Sequence, residues 1–242
     1  MLLKDSIKEV QDAGNDYKTF PRMTYLLLII TGVAGLYIYS LLASIIINAA
    51  KIGGEYGKAS SLFISYAFLF ITLVLIIGFN CKNFIKSLKN YKSYIYGIAF
   101  GILLILVPMA YSNFVNLFYQ SNISENESQL HSMMMAYPAL SVIFIGIIGP
   151  VCEELIYRLG IFESIGKPRW IAYLVSIIVF ALMHFQPTSE NIINELINLP
   201  SYLLSGLILA LAYDKCNIAT SMTAHMINNL FSVIVFIISK SI

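Results

Sequence analysis

Seven long apolar stretches, separated by short polar or glycine-rich breaks, leave this chain almost no way to fold in water. They run roughly Tyr25–Ala50, Ala59–Asn80, Tyr94–Tyr119, Ala139–Ile165, Arg169–Phe185, Asn191–Tyr213 and Asn217–Ser239. A helix needs about 20 apolar residues to cross a bilayer, and each stretch is close to that length or longer. The chain is 58% hydrophobic and 12% charged, with a mean hydropathy of +0.78. A soluble domain carries about 25% charged residues. The expected fold is therefore all-α: a polytopic transmembrane helical bundle of about seven spans, with the lipid bilayer as its first partner.

Gly53-Gly54 and Gly57 break the first two stretches apart, and a lysine-rich loop from Lys82 to Lys92 separates the next pair. The polar segment Ser121–Gln129 precedes the fourth, Gly166-Lys167-Pro168 the fifth, Gln186-Pro187 the sixth and Asp214-Lys215 the seventh. The first 24 residues are mostly polar, and the run after them is too long for a signal h-region, so no cleavable signal is expected. The net charge of +2 gives no footing for nucleic acid. Three cysteines, Cys81, Cys152 and Cys216, in or beside apolar helices argue against a disulfide framework.

Cytoplasmic loops of membrane proteins carry the excess of lysine and arginine. With the N-terminus inside, the inner segments hold Lys4, Lys8, Lys18, Arg22, Lys82, Lys86, Lys89, Lys92, Arg158, Lys167, Arg169 and Lys215. The outer segments hold only Lys51, Lys58 and Lys240. An integral membrane protein with its N-terminus inside and C-terminus outside is expected.

Ionisable residues inside spans cost roughly 2.5–3.5 kcal/mol each on insertion scales and mark function by default. The fourth span holds Glu153, Glu154 and Arg158, the fifth His184, and the seventh His225 with Asn229. His131 has no such context and reads as a solvated loop residue. Glu154 and Arg158 stand i, i+4 with the acid first, the better order for a helix ion pair. Glu153 is turned about 100° away and is free to face elsewhere. Counting about 1.5 Å per residue from the lysine-rich end puts Glu153 at about 18 Å, His184 at about 22 Å, His225 at about 14 Å and Asn229 at about 20 Å. Three helices thus bring polar groups to one level near the midplane. A carboxylate beside a histidine can activate water there, and a histidine with an amide can hold an oxyanion.

Glu153-Glu154-Leu-Ile-Tyr-Arg158 resembles an EExxxR motif, Phe180-Ala-Leu-Met-His184 an FxxxH and His225-Met-Ile-Asn-Asn229 an HxxxN. Three such motifs in order, on suitable helices, resemble the CAAX-protease and bacteriocin-processing (CPBP, or Abi) membrane peptidases, which include the type II CAAX prenyl endopeptidases. The resemblance covers about Pro138 to Asn229. It divides the chain into an N-terminal membrane region, 1–135, and a four-span catalytic core, 136–242. It implies a glutamate-type intramembrane protease: Glu153 and His184 activating water, His225 and Asn229 holding the oxyanion, Glu154 and Arg158 bracing the site. The implied substrate is a peptide reaching the membrane, such as a lipidated C-terminus, a bacteriocin leader or a small membrane protein. No cofactor is expected. Zinc on one glutamate and two histidines is the alternative, although no HExxH helix exists here.

Blander readings stand beside this one. Glu154–Arg158 alone suits a structural ion pair, and Asn228 with Asn229 suits interhelical glue. A non-catalytic immunity protein against peptide toxins shares the family resemblance. A proton-coupled transporter would also place Glu and His in spans, but no internal repeat is evident. Finally, Asn191, Asn194, Glu195 and Asn198 form a polar stripe on the sixth span. It reads either as a solvated helix start or as the wall of a wet cavity on the outer side.

Overall fold

The computed structural model describes residues 2–14, 20–78, 81–120, 122–187 and 190–241. Lys18, Asn80 and Ser121 of the sequence reading lie outside the described residues. All regular structure among these is helical. An N-terminal helix α1 (Leu2–Gly14) precedes two long apolar helices, α2 (Arg22–Ala49) and α3 (Gly54–Gly78). A short helix α4 (Cys81–Lys89) leads into α5 (Tyr91–Asn116), and a second short helix α6 (Glu125–Ala136) follows it. The last four are α7 (Pro138–Ile165), α8 (Arg169–His184), α9 (Ile192–Lys215) and α10 (Ile218–Ser241).

Among the described residues, six helices are long and apolar enough to cross a membrane: α2, α3, α5, α7, α9 and α10. The expected fifth span, α8, has 16 residues. That is about 24 Å of helix, short of the roughly 30 Å of hydrocarbon, and His184 stands at its end.

Two segments expected as loops are helical. The lysine-rich run is largely α4, and residues 125–129 of the polar segment before the fourth span form the start of α6. Ser124 caps α6 by accepting a hydrogen bond from the Glu127 amide at 3.2 Å. A side-chain oxygen satisfying a free amide at a helix start favours helix over loop. His131 is consequently a helix residue, stacked on Phe236 at 4.2 Å between centroids.

Large side chains such as Leu41, Ile45, Leu75, Ile95 and Ile234 are exposed on the outside of the bundle, as lipid contact requires. The close contact of α5 with α10 depends on Gly97 and Gly101. A Cβ at Gly97 would lie 2.5 Å from Thr223 and one at Gly101 2.9 Å from Ile227. Small residues four apart let two membrane helices approach at backbone distance.

Helix α7 positions the site because it is not uniform. It widens to π geometry over Phe144–Ile148, returns to α over Gly149–Glu154, and widens again over Leu155–Phe162. Pro150 explains the first change: it lacks an N–H, and its ring crowds the carbonyl four residues back. A π turn relieves both, and such turns concentrate at functional sites. In each wide stretch a carbonyl accepts a side-chain hydrogen bond from a neighbouring helix: Ile145 from Asn229 Nδ2 at 3.1 Å, and Tyr157 from Ser176 Oγ at 3.0 Å.

Candidate active site

Glu153 and Glu154 close the α-helical middle of α7 and point to different partners. Glu154 is fully buried, as is Arg158 one turn on. Arg158 donates from Nε to Glu154 Oε2 at 3.2 Å and from Nη1 to Ser176 Oγ at 2.6 Å. Ser221 Oγ also donates to Glu154 Oε2, and His225 Nδ1 lies 3.0 Å from Glu154 Oε1. Both carboxylate oxygens are thus occupied. Removing one member of such a buried charge set typically costs about 3–5 kcal/mol, since the remaining charge is stranded.

These contacts fix the histidines. Glu154 only accepts, so the proton of neutral His225 sits on Nδ1 and leaves Nε2 as an acceptor. His184 Nδ1 lies 2.8 Å from the Phe180 carbonyl, and the same argument leaves His184 Nε2 as an acceptor. His184 is held between the rings of Phe180 and Tyr202, at 4.6 and 5.1 Å.

Both Nε2 atoms converge on Glu153. Oε2 of Glu153 is 3.7 Å from His184 Nε2 and 3.8 Å from His225 Nε2. These gaps exceed the 2.7–3.2 Å of a direct N–H···O bond and suit a bridging water. Oε2 is buried and accepts no hydrogen bond from protein. Three acceptors facing one another call for a donor between them, and water or an added proton supplies it. Zinc would answer the same chemistry, with Glu154 and the Phe180 carbonyl behind the histidines in the usual outer-shell positions. Among the described residues no group of three His, Cys, Asp or Glu side chains is placed as a metal-holding cluster.

Asn229 stands one turn beyond His225. One of its amide hydrogens goes to Ile145 and its Oδ1 accepts from Asn228 Nδ2 at 3.1 Å, leaving one hydrogen to donate. A cavity of about 390 Å³ lined by His184, His225, Asn228 and Asn229 meets a smaller one of about 130 Å³ lined by Glu153, Tyr66 and Phe63.

The structure therefore brings Glu153, His184, His225 and Asn229 around one space, with Glu154 and Arg158 behind them. Ser176 and Ser221 were absent from the sequence reading. A spacing signal existed: Ser176 is i−4 from Phe180 and i−8 from His184, and Ser221 is i−4 from His225 and i−8 from Asn229. In the polar stripe at the start of α9, Asn194 and Glu195 are buried and hold neighbouring chain, while Asn191 is exposed. Asn194 Oδ1 accepts from the Asn122 amide at 2.9 Å, and Glu195 accepts from the amides of Glu125 and Gln186 at 2.7 and 3.2 Å. Glu195 thereby ties the start of α6 to the end of α8, just past His184. Asn198 alone of the stripe lines the larger cavity.

Comparison with known proteins agrees in location. Residues 135–231 match the family model for type II CAAX prenyl endopeptidase Rce1-like proteins. The chain is 31% identical over 140 residues to protein YvdC of Lactococcus lactis, covering 57% of this chain and 51% of that one. It is 29% identical over 180 residues to the membrane-embedded CAAX protease MroQ of Staphylococcus aureus, covering 67% and 68%. An uncharacterised Mycoplasma capricolum protein is 25% identical over 185 residues, covering 69% and 53%. The chain thus spans about half the length of two of these relatives. No solved structure matches.

Proposed function

From the match of residues 135–231 to the type II CAAX prenyl endopeptidase Rce1-like model, we propose that the chain is a CAAX-type intramembrane endopeptidase using Glu153 to activate water. The observation that carries the reading is the convergence of two histidine Nε2 atoms on Glu153 Oε2, at 3.7 and 3.8 Å. A water there is oriented by His184 Nε2 and gives a proton to Glu153 as its oxygen attacks the scissile carbonyl. The carbonyl becomes an oxyanion, facing the free amide hydrogen of Asn229 and Nε2 of His225. The Asn229 hydrogen donates to it directly, and only the doubly protonated form of His225 donates as well, from Nε2. Collapse of the intermediate breaks the C–N bond, and the proton held by Glu153 passes to the leaving nitrogen. Atoms and charge balance without a cofactor. No step is assigned to zinc.

The substrate is a peptide or small membrane protein whose scissile bond can reach the midplane. Peptide analysis of membranes carrying wild type or Glu153→Ala tests the reading. One or more peptides should change termini between the two, and identical peptide ends would reject proteolysis.

A further inference from the structure

We infer that, of the two ends of the bundle, the one bearing α6 and not the lysine-rich one opens to the site, and that its substrates are peptide segments presented on the outer face of the membrane. The substrate clause rests on the protease reading; the route of entry does not.

The lysine-rich end is sealed. Phe162 is fully buried there, with Tyr173 at 5.0 Å and Tyr213 at 5.5 Å between ring centroids. Arg169 lies over Phe162 at 4.7 Å and pairs with Asp214 at 2.8 Å and Glu163 at 3.3 Å. The hydroxyls of Tyr173 and Tyr213 donate to Asp214 and Glu163, each at 3.0 Å. Helix α1 closes the outside of this plug, where Asn217 donates to the Val10 carbonyl at 3.2 Å and Lys92 pairs with Glu9. Between plug and site stand Arg158, Leu159 and Leu155, all fully or almost fully buried. A peptide coming from this end would have to part a packed aromatic and ionic layer.

The opposite end is open. The larger cavity runs from His184 and His225 to Asn126 and Glu127 on α6, and Glu127 is half exposed, with 52% of its side chain accessible. Its polar lining is hydroxyl, amide, imidazole and one carboxylate, with no lysine or arginine. Such a wall suits an uncharged or basic peptide segment that exchanges hydrogen bonds with it.

The charges orient the two ends. Lys8, Arg22, Lys89, Lys92, Lys167 and Lys215 belong to the plugged end, against Lys51, Lys58 and Lys240 at the open one. Ring contacts keep the latter together with α6: Tyr56 meets Tyr137, the C-cap of α6, at 5.3 Å, and His131 of α6 stacks at 4.2 Å on Phe236, one turn before Lys240. The positive-inside bias makes the plugged end cytoplasmic, so the mouth faces outward.

Cysteine labelling of the full chain in cells, in a Cys81→Ala background, tests this with no need for turnover. A membrane-impermeant maleimide should label Glu127→Cys in intact cells and Lys89→Cys only after permeabilisation. A small charged thiosulfonate should modify Ser205→Cys, deeper in the cavity, from outside intact cells and not from the cytoplasmic face of inverted vesicles. Reversed labelling of Glu127→Cys and Lys89→Cys would overturn the orientation. Reaction of Ser205→Cys from the cytoplasmic face, or from neither face, would overturn this choice of end. Because labelling is read without proteolysis, either failure is distinct from failure of the protease reading.

Discussion

His225 Nδ1 stands 3.0 Å from Glu154 Oε1, and through this contact the buried carboxylate of α7 sets the tautomer of a histidine on α10. The neighbouring Glu153 then meets the other nitrogen of the same ring at 3.8 Å. Two adjacent carboxylates thus bracket one imidazole, one holding it and one left to react.

If Glu153 is the base, Glu153→Gln removes it with little change of shape. Turnover should fall by about 10²–10⁴, the usual worth of general base catalysis. Membrane abundance should be unchanged. Product peptides measured by mass spectrometry, normalised to protein in the membrane, check both, and wild-type turnover would end the assignment.

Arg158→Ala strands Glu154 in a fully buried site. A loss of about 3–5 kcal/mol is expected, read as less folded protein in the membrane and a lower midpoint of thermal aggregation in detergent. Normal abundance together with normal activity would remove the bracing role.

Ser221→Ala tests a residue that only the structure brought forward. A hydrogen bond to a charged group is worth about 1.5–3 kcal/mol, and Glu154 keeps Arg158 and His225. The variant should be less damaged than Arg158→Ala in the same aggregation assay. Equal damage would give the serine as much weight as the arginine in holding Glu154.

Asn229→Ala should leave residual activity, since one oxyanion donor typically contributes about 10²–10³ in rate. The loss should fall on kcat more than on KM with a model peptide. A change confined to KM would make Asn229 a substrate-binding group instead.

Zinc content separates the two mechanisms offered by this donor set. Elemental analysis of the purified protein should find well under one zinc per chain, and chelation should leave turnover intact. One zinc per chain that disappears in His184→Ala would assign the site to the metal.

Much of this protein was determined by local sequence alone. Apolar runs of spanning length have only membrane helices open to them, and motifs spaced at three and four residues place Glu154 with Arg158, and His225 with Asn229, on shared helix faces. Simple rise per residue put Glu153, His184, His225 and Asn229 at nearby depths, even though the count to Glu153 runs through the wide stretch Leu155–Phe162. The tertiary structure decided what periodicity cannot express. Ser176 and Ser221 share helix faces with the motif residues, but their role arises because Arg158 and Glu154 arrive beside them from another helix. The π stretches around Pro150 set which way the two glutamates point, and a uniform 3.6-residue period contains no such change. Glu195 looked like a helix start facing water, yet it is buried, binding the amides of Glu125 and Gln186. Those backbone groups come from two other segments, and only folding brings them within reach.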